Sequence, residues 1–96
     1  MIQKVAIRCH TGKPEAVRLA KQLHRALAKR VSIVPLDRAE ILFVLGGDGT
    51  ILAAAPDAAR LGVPMIGVNV GRLGFLTEFS GEEILPGIDG ILNEKF

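Results

Sequence analysis

One acidic residue stands among glycines in the stretch Leu45–Ala55, which reads LGGDGTILAAA. Gly46, Gly47 and Gly49 carry no side chains, so a phosphate can approach the backbone N–H groups of such a loop, and a helix that begins after it adds a favourable dipole. Asp48 does not fit a simple phosphate site, because its charge would repel the anion. A carboxylate there can instead accept a hydroxyl proton or hold Mg²⁺. The stretch therefore indicates phosphoryl transfer to an alcohol.

The five residues GGDGT within this stretch also have a purely structural interpretation. Asp-Gly is a common turn pair, and an aspartate between a strand and a helix often caps the helix. The motif is not a Walker A sequence, since no Lys follows the glycines in the GxxxxGK[ST] pattern, and it is not the dinucleotide-binding GxGxxG. Two interpretations of GGDGT therefore remain when it is taken alone. It is either a phosphate-binding loop of another class or the simple start of a helix.

The segments that would position this loop alternate between strand and helix patterns. Strands are predicted at Val5–Cys9, Val31–Leu36, Ile41–Leu45 and Met65–Val70. The third of these is apolar at every position, which is typical of the centre of a parallel sheet covered on both faces. The alternation predicts right-handed crossovers and a three-layer α/β fold with a mostly parallel open sheet, as a single domain over residues 1–96.

Three helices are expected between and after these strands. The first begins at Pro14 and is amphipathic. The second has its body at Ile51 to Leu61, with Thr50 as the capping residue and with Pro56 expected to shorten or kink it. Gly62 and Pro64 mark its end.

The last helix has two possible starting points. Ser80 and Glu83 have the spacing of a capping box, which places the start at Ser80. Pro86 would then fall inside the helix, so a start near Leu85 with Pro86 at the first position is the alternative.

Composition excludes several classes of protein. The chain has 12 Lys and Arg against 10 Asp and Glu, with neither Trp nor Tyr, so a nucleic-acid-binding surface is not expected. Cys9 has no cysteine partner, which favours a reducing, cytoplasmic location. No segment approaches the ~20 apolar residues of a membrane span, and no signal peptide is apparent. His10 and His24 lack partners at metal-ligand spacing.

A second glycine-rich stretch makes the first more specific. Asn69–Phe79 reads NVGRLGFLTEF and follows a PMIGV strand. With both motifs, nearly the whole chain resembles the amino-terminal domain of the NAD kinases, which make NADP by transferring a phosphoryl group to the adenosine 2′-hydroxyl of NAD. GGDGT alone is shared with diacylglycerol and sphingosine kinases and, more loosely, with phosphofructokinases. The resemblance implies a phosphofructokinase-like, Rossmann-like fold.

The resemblance also implies roles for individual residues. Asp48 matches the aspartate that activates the 2′-hydroxyl and is also a possible metal ligand. Phe75 matches a residue bordering the adenine pocket, although ordinary packing would explain it equally well, and Arg72 could hold a phosphate bidentately or simply be solvated. The implied binding residues are Gly46, Gly47, Gly49 and Thr50 in the first loop and Asn69, Arg72, Gly74 and Phe75 in the second.

Further expectations follow from the family resemblance. It implies Mg²⁺ or another divalent cation, ATP or polyphosphate as donor, NAD as acceptor, and a homo-oligomer in the full enzyme. NAD kinases carry a second, β-rich domain, so the chain resembles one half of the enzyme, and these 96 residues alone are expected to be inactive. The alternatives are a lipid kinase that shares GGDGT, and a non-catalytic nucleotide-binding module in which Asp48 only caps the helix.

Overall fold

The order of strands and helices follows the predicted alternation. A computed structural model describes residues 1–71 and 76–93. In chain order the elements are β1 (Lys4–Cys9), α1 (Pro14–Ala28), β2 (Ser32–Ile33), a 3₁₀ turn (Leu36–Arg38), β3 (Ile41–Gly46), α2 (Asp48–Leu61), β4 (Met65–Asn69), β5 (Phe79–Ser80) and α3 (Gly81–Leu92).

The five strands form one parallel sheet in the order β2-β1-β3-β4-β5. β3 lies at its centre, and all of its residues are buried. An uninterrupted apolar run is stable there because helices exclude water from both faces of the strand. The predicted central position of this strand is confirmed.

The helices cover the two faces of the sheet and make a three-layer structure. α1 and α3 pack on one face around Phe43, in the larger hydrophobic cluster. α2 packs on the other face around Leu42 and Val44, in the smaller cluster. Because successive side chains of a strand point to opposite faces, β3 contributes alternate residues to both clusters. The predicted three-layer α/β fold is confirmed.

β2 is shorter than predicted, with two residues in place of the six of Val31–Leu36. The strand is followed by Pro35, which has no N–H to donate to a neighbouring strand, and then by the 3₁₀ turn. Only residues 34–40 connect β2 to β3 past the intervening β1. Parallel strands usually need a dozen or more residues for such a crossover, so a short connection leaves room only for a short strand.

β5 was not predicted, because Phe79 was interpreted as the end of the second glycine-rich stretch and Ser80 as the start of the last helix. Phe79 and Ser80 pair with Val68 and Asn69 of β4. The Glu78 N–H extends this contact by donating to the Gly67 carbonyl at 2.9 Å. A two-residue strand has no alternation that a sequence pattern could reveal.

α2 begins two residues earlier than its predicted cap. Gly47 is the N-cap residue, no side chain caps the helix, and Thr50 lies inside the first turn, so the prediction of Thr50 as cap is wrong. The Gly47 carbonyl accepts hydrogen bonds from the N–H groups of Thr50 and Ile51. The helix is not shortened at Pro56 and ends, as predicted, at Gly62, whose φ of 68° is left-handed.

α3 begins at the capping box rather than near Leu85. The Ser80 hydroxyl accepts a hydrogen bond from the Glu83 N–H at 3.2 Å, and the Glu83 carboxylate accepts one from the Ser80 N–H at 2.9 Å. These two bonds satisfy donors that would otherwise be unpaired at the helix start. Pro86 therefore lies in the second turn. Within residues 1–71 and 76–93, no helix has the length and hydropathy needed to cross a bilayer.

Candidate functional site

The two glycine-rich loops leave the sheet side by side. Gly46 at the end of β3 is paired with Asn69 at the end of β4. The Val70 N–H donates to the Gly46 carbonyl at 3.1 Å. In open α/β sheets, ligands bind at the carboxyl ends of the strands. The first residues of both predicted loops therefore meet at the edge where a ligand is expected.

The glycines of GGDGT have different surroundings. A Cβ at Gly46 would lie 2.5 Å from the Thr50 hydroxyl oxygen, so the absence of a side chain at Gly46 makes room for Thr50. A Cβ at Gly47 or Gly49 would meet none of the described residues within 4 Å. Among the described residues, the Gly49 N–H has no hydrogen-bond partner. Open space beside the Gly49 N–H at the start of a 14-residue helix suits an anion.

Asp48 is the first residue of α2 and is half-buried. Its Oδ1 accepts a hydrogen bond from the Leu76 N–H at 2.9 Å, which joins the first loop to the second. Asp48 is therefore not the capping residue that the structural interpretation of GGDGT expected, since Gly47 holds that position. Sequence analysis missed Leu76, because a backbone N–H donor leaves no trace in residue type.

Gly67 in β4 sets how closely the second loop approaches the sheet. A Cβ there would lie 3.0 Å from the Leu76 carbonyl oxygen and 3.2 Å from the Thr77 Cα, and 2.5 Å from a methyl group of Ile51. The second loop can therefore lie directly against β4, where the Leu76 N–H reaches Asp48. A glycine inside a strand pattern is the available sequence signal for such a close approach.

Asn69 presents an unpaired acceptor at the same edge. The residue is 8% exposed, and its buried Oδ1 has no hydrogen-bond partner in the part of the chain that the structure describes. It borders a cleft of about 450 Å³ formed with the start of α3 and with Glu15 and Leu19 of α1. A buried polar atom without a partner calls for an explanation, and a hydroxyl or amino group of a ligand would supply the missing donor.

The remaining predicted binding residues, Arg72, Gly74 and Phe75, lie outside the described part of the chain. Within that part, no three His, Cys, Asp or Glu side chains are grouped to hold a metal ion. Mg²⁺ is usually bound by one or two carboxylates together with substrate phosphates. A single carboxylate at Asp48, next to the open space at Gly47 and Gly49, fits a Mg²⁺ ion that arrives with a phosphate donor.

Comparison with known proteins identifies relatives of this chain. The family model for the ATP-NAD kinase N-terminal domain matches residues 36–96. NAD kinase 2 of Streptomyces coelicolor is 33% identical over 120 residues, covering 99% of this chain and 40% of that protein. An NAD kinase of Heliobacterium modesticaldum is 34% identical over 108 residues, covering 92% of this chain and 38% of that protein.

A solved structure has the same fold. The yeast NADH kinase complexed with NADH superimposes with a TM-score of 0.68 and 21% sequence identity, covering 98% of this chain and 39% of that one. The chain thus spans about 40% of the length of the Streptomyces coelicolor relative. The family match extends from the connection before β3 across both glycine-rich loops and includes more than half of the residues. The chain therefore belongs to the NAD kinase family and corresponds to its N-terminal domain.

Proposed function

We propose that residues 1–96 form one α/β domain that carries the phosphoryl-transfer loop of an NAD kinase. The reaction moves the terminal phosphoryl group of ATP to the adenosine 2′-hydroxyl of NAD and gives NADP and ADP. One observation carries the proposal: Asp48 stands at the start of α2 between two glycines with open space beside them, and its carboxylate is joined to the second loop through the Leu76 N–H.

In this proposal Asp48 activates the 2′-hydroxyl that accepts the phosphoryl group. Its carboxylate takes the proton of the 2′-hydroxyl as the new O–P bond forms and the bond between the phosphoryl group and ADP breaks. The N–H groups at the start of α2 bind phosphate oxygens, and the helix dipole favours their negative charge. Phosphoryl transfer depends mainly on positioning and on electrostatic stabilisation, and a short, rigid loop between a buried strand and a helix supplies both.

The second loop would hold the nucleotide. The buried Asn69 Oδ1 would accept a hydrogen bond from a hydroxyl or amino group of the substrate. By family membership, Gly74 and Phe75 would belong to the second binding loop, with Phe75 bordering the adenine, and the Arg72 guanidinium would suit a bidentate contact with a phosphate. The cleft beside Asn69 would admit part of the nucleotide.

The donor and the cation follow from the same family membership. ATP is the proposed donor, with polyphosphate as a second possibility. Mg²⁺ or another divalent cation would be held by Asp48 and by the donor phosphates, and it would neutralise phosphate charge when bound. We also propose a homo-oligomeric full-length enzyme, and a cytoplasmic location in keeping with the free Cys9.

The test is NADP formation from NAD, ATP and Mg²⁺ by the full-length gene product, measured with an NADP-specific dehydrogenase. We expect Asp48→Asn to lower kcat by about 10²-fold or more, the range for a general base, with an unchanged unfolding midpoint. Asp37→Asn is the matched control, because Asp37 is exposed in the turn before β3, away from both loops. An active Asp48→Asn enzyme, or a folded wild-type protein without turnover, would exclude the proposal.

The same assay tests the expectation for the 96 residues alone. They span about 40% of the length of the Streptomyces coelicolor relative, and we infer that residues outside this span help to position the substrates. We expect turnover by the isolated chain to be negligible, since positioning supplies much of the rate. Ready NADP formation by the isolated chain would contradict this expectation.

A further inference from the structure

A groove beside α1 is separate from the edge that carries the two loops. It has a volume of about 410 Å³ and lies between α1 and the strands β1 and β2. All of its lining residues fall within residues 7–33, before residue 36 where the family match begins. The proposed function uses none of them.

The floor of the groove is apolar because β2 is short. β2 pairs only with Lys4 and Val5 of β1, so the side chains further along β1 lie beyond its end. Ile7 and Cys9 are only half-buried, whereas Val5 is fully buried. With Ile33 of β2, these side chains leave an apolar surface that α1 does not cover.

The rim of the groove is basic. Lys21, His24 and Arg25 line it from α1, all three are exposed, and the lining includes no acidic residue. None of these side chains has an ion pair or hydrogen bond within the described part of the chain. By contrast, Arg8, Arg30 and Arg60 each pair with an aspartate. The groove therefore combines an apolar floor with positive charge that lacks a counter-ion.

We propose that this groove binds a free fatty-acid-like carboxylate. The apolar tail lies over Ile7 and Ile33, and the carboxylate accepts hydrogen bonds from Lys21 and Arg25, which are four residues apart and so lie on one face of α1. The volume is within the range of about 300–1,000 Å³ that is usual for small-ligand sites. A second copy of the chain is a poorer occupant, since a two-fold contact would bring two uncompensated basic rims together.

The test is an NMR titration of the ¹⁵N-labelled 96-residue chain with decanoate, kept below the concentration at which it forms micelles. We expect amide shifts at Ile7, Lys21 and Ile33, and none along α2. Arg25→Gln should weaken binding by about tenfold, corresponding to the loss of a charge-assisted hydrogen bond. Lys29→Gln is the matched control. It makes the same change of charge at the exposed C-cap of α1, outside the groove, and should leave binding unchanged.

Three results would overturn the proposal. The first is an absence of shifts at the groove residues, and the second is equal binding of neutral decanol and decanoate, which would show that the basic rim does not select the ligand. The third is concentration-dependent dimerisation through the groove, seen by sedimentation without ligand, which would assign it to a second copy. Since the measurement is direct binding, it is independent of NADP formation.

Discussion

At the scale of single residues, the glycines of GGDGT serve different purposes. The Thr50 side chain packs against Gly46 where a Cβ would otherwise stand. Gly47 has an ordinary φ of −112° and open space around it, and Gly49 has open space and is exposed. Within residues 1–71 and 76–93, neither backbone conformation nor internal packing requires glycine at these two positions. The reason for glycine that we propose is the close approach of a ligand.

Gly49→Ala separates the needs of the fold from those of the ligand. Because alanine is the better helix former, we expect the free energy of unfolding to stay constant or rise by up to about 1 kcal/mol. The added methyl group should obstruct the phosphate and lower kcat/KM by tenfold or more. Urea unfolding and NADP formation by the full-length protein measure the two effects. Gly90→Ala in α3, also in open space, is the control that should leave kinetics unchanged, and unaltered kinetics in Gly49→Ala would contradict the phosphate role.

At the scale of elements, the distance between the two loops is set by the contact of the second loop with β4. Gly67 lies under Leu76 and Thr77, and Ile51 of α2 packs against it from the neighbouring element. Protein interiors are close-packed, so a methyl group added at this point must displace one of these neighbours. The position of the Leu76 N–H relative to Asp48 therefore depends on a residue that lies in the sheet, outside both loops.

We expect Gly67→Ala to lower the free energy of unfolding by about 1–3 kcal/mol, the usual cost of overpacking, and to lower kcat. NMR should show a shifted Leu76 amide signal as its hydrogen bond to Asp48 lengthens. Adding Ile51→Val removes the methyl group that lies 2.5 Å from the new Cβ but leaves the loop contact. The double variant should thus regain stability without regaining kcat. Full recovery of kcat would show that the loop contact does not position Asp48.

The capping box of α3 makes stability depend on pH. Hydrogen bonds from the Ser80 backbone N–H and hydroxyl lower the pKa of Glu83 below its ordinary value of 4.5. A carboxyl with a lowered folded-state pKa stabilises the fold above its unfolded-state pKa and loses that contribution as pH falls through the folded-state value. We therefore expect stability to decline below about pH 4.5. Glu83→Gln should reduce this decline in urea unfolding measured at several pH values, and an unchanged slope would contradict the assignment.

Sequence patterns predicted the long elements and missed the short ones. The apolar run of β3 and the amphipathic spacing of α1 identified those elements, because burial on one or both faces imposes a period on the sequence. β2 was predicted too long because the whole of Val31–Leu36 has a strand-like composition. The actual length of β2 depends instead on the short connection to β3. Thr50 was misassigned as a cap because α2 begins two residues before it, after Gly47, which has no side chain with which to cap the helix.

Prediction of the site divides in the same way. Asp48 and the glycines around it could be proposed as site residues because their residue types suggest a chemistry. The role of Leu76 depends on a backbone N–H, and the cleft at Asn69 depends on α1 and α3 beginning at the same edge of the sheet. Such features arise from tertiary packing and have no counterpart in a local pattern.

At the scale of the whole molecule, the two hydrophobic clusters share one strand. β3 places Phe43 in the cluster with α1 and α3, and Leu42 in the cluster with α2. Both side chains are at most 1% exposed. Because neighbouring residues of one backbone serve both faces, neither layer of helices can lose its packing while β3 stays in place for the other. The three layers should therefore unfold together.

We expect Leu42→Ala to lower the free energy of unfolding by about 2–5 kcal/mol and Phe43→Ala by about 3–5 kcal/mol, through lost burial and the cavities left behind. Those losses are large beside the ~5–15 kcal/mol stability of a typical domain. In Leu42→Ala, whose cavity lies on the face of α2, amide signals of α2 and α3 should vanish at the same urea concentration. A lower midpoint for α2 than for α3 would show that each face unfolds by itself and that the shared central strand does not couple them.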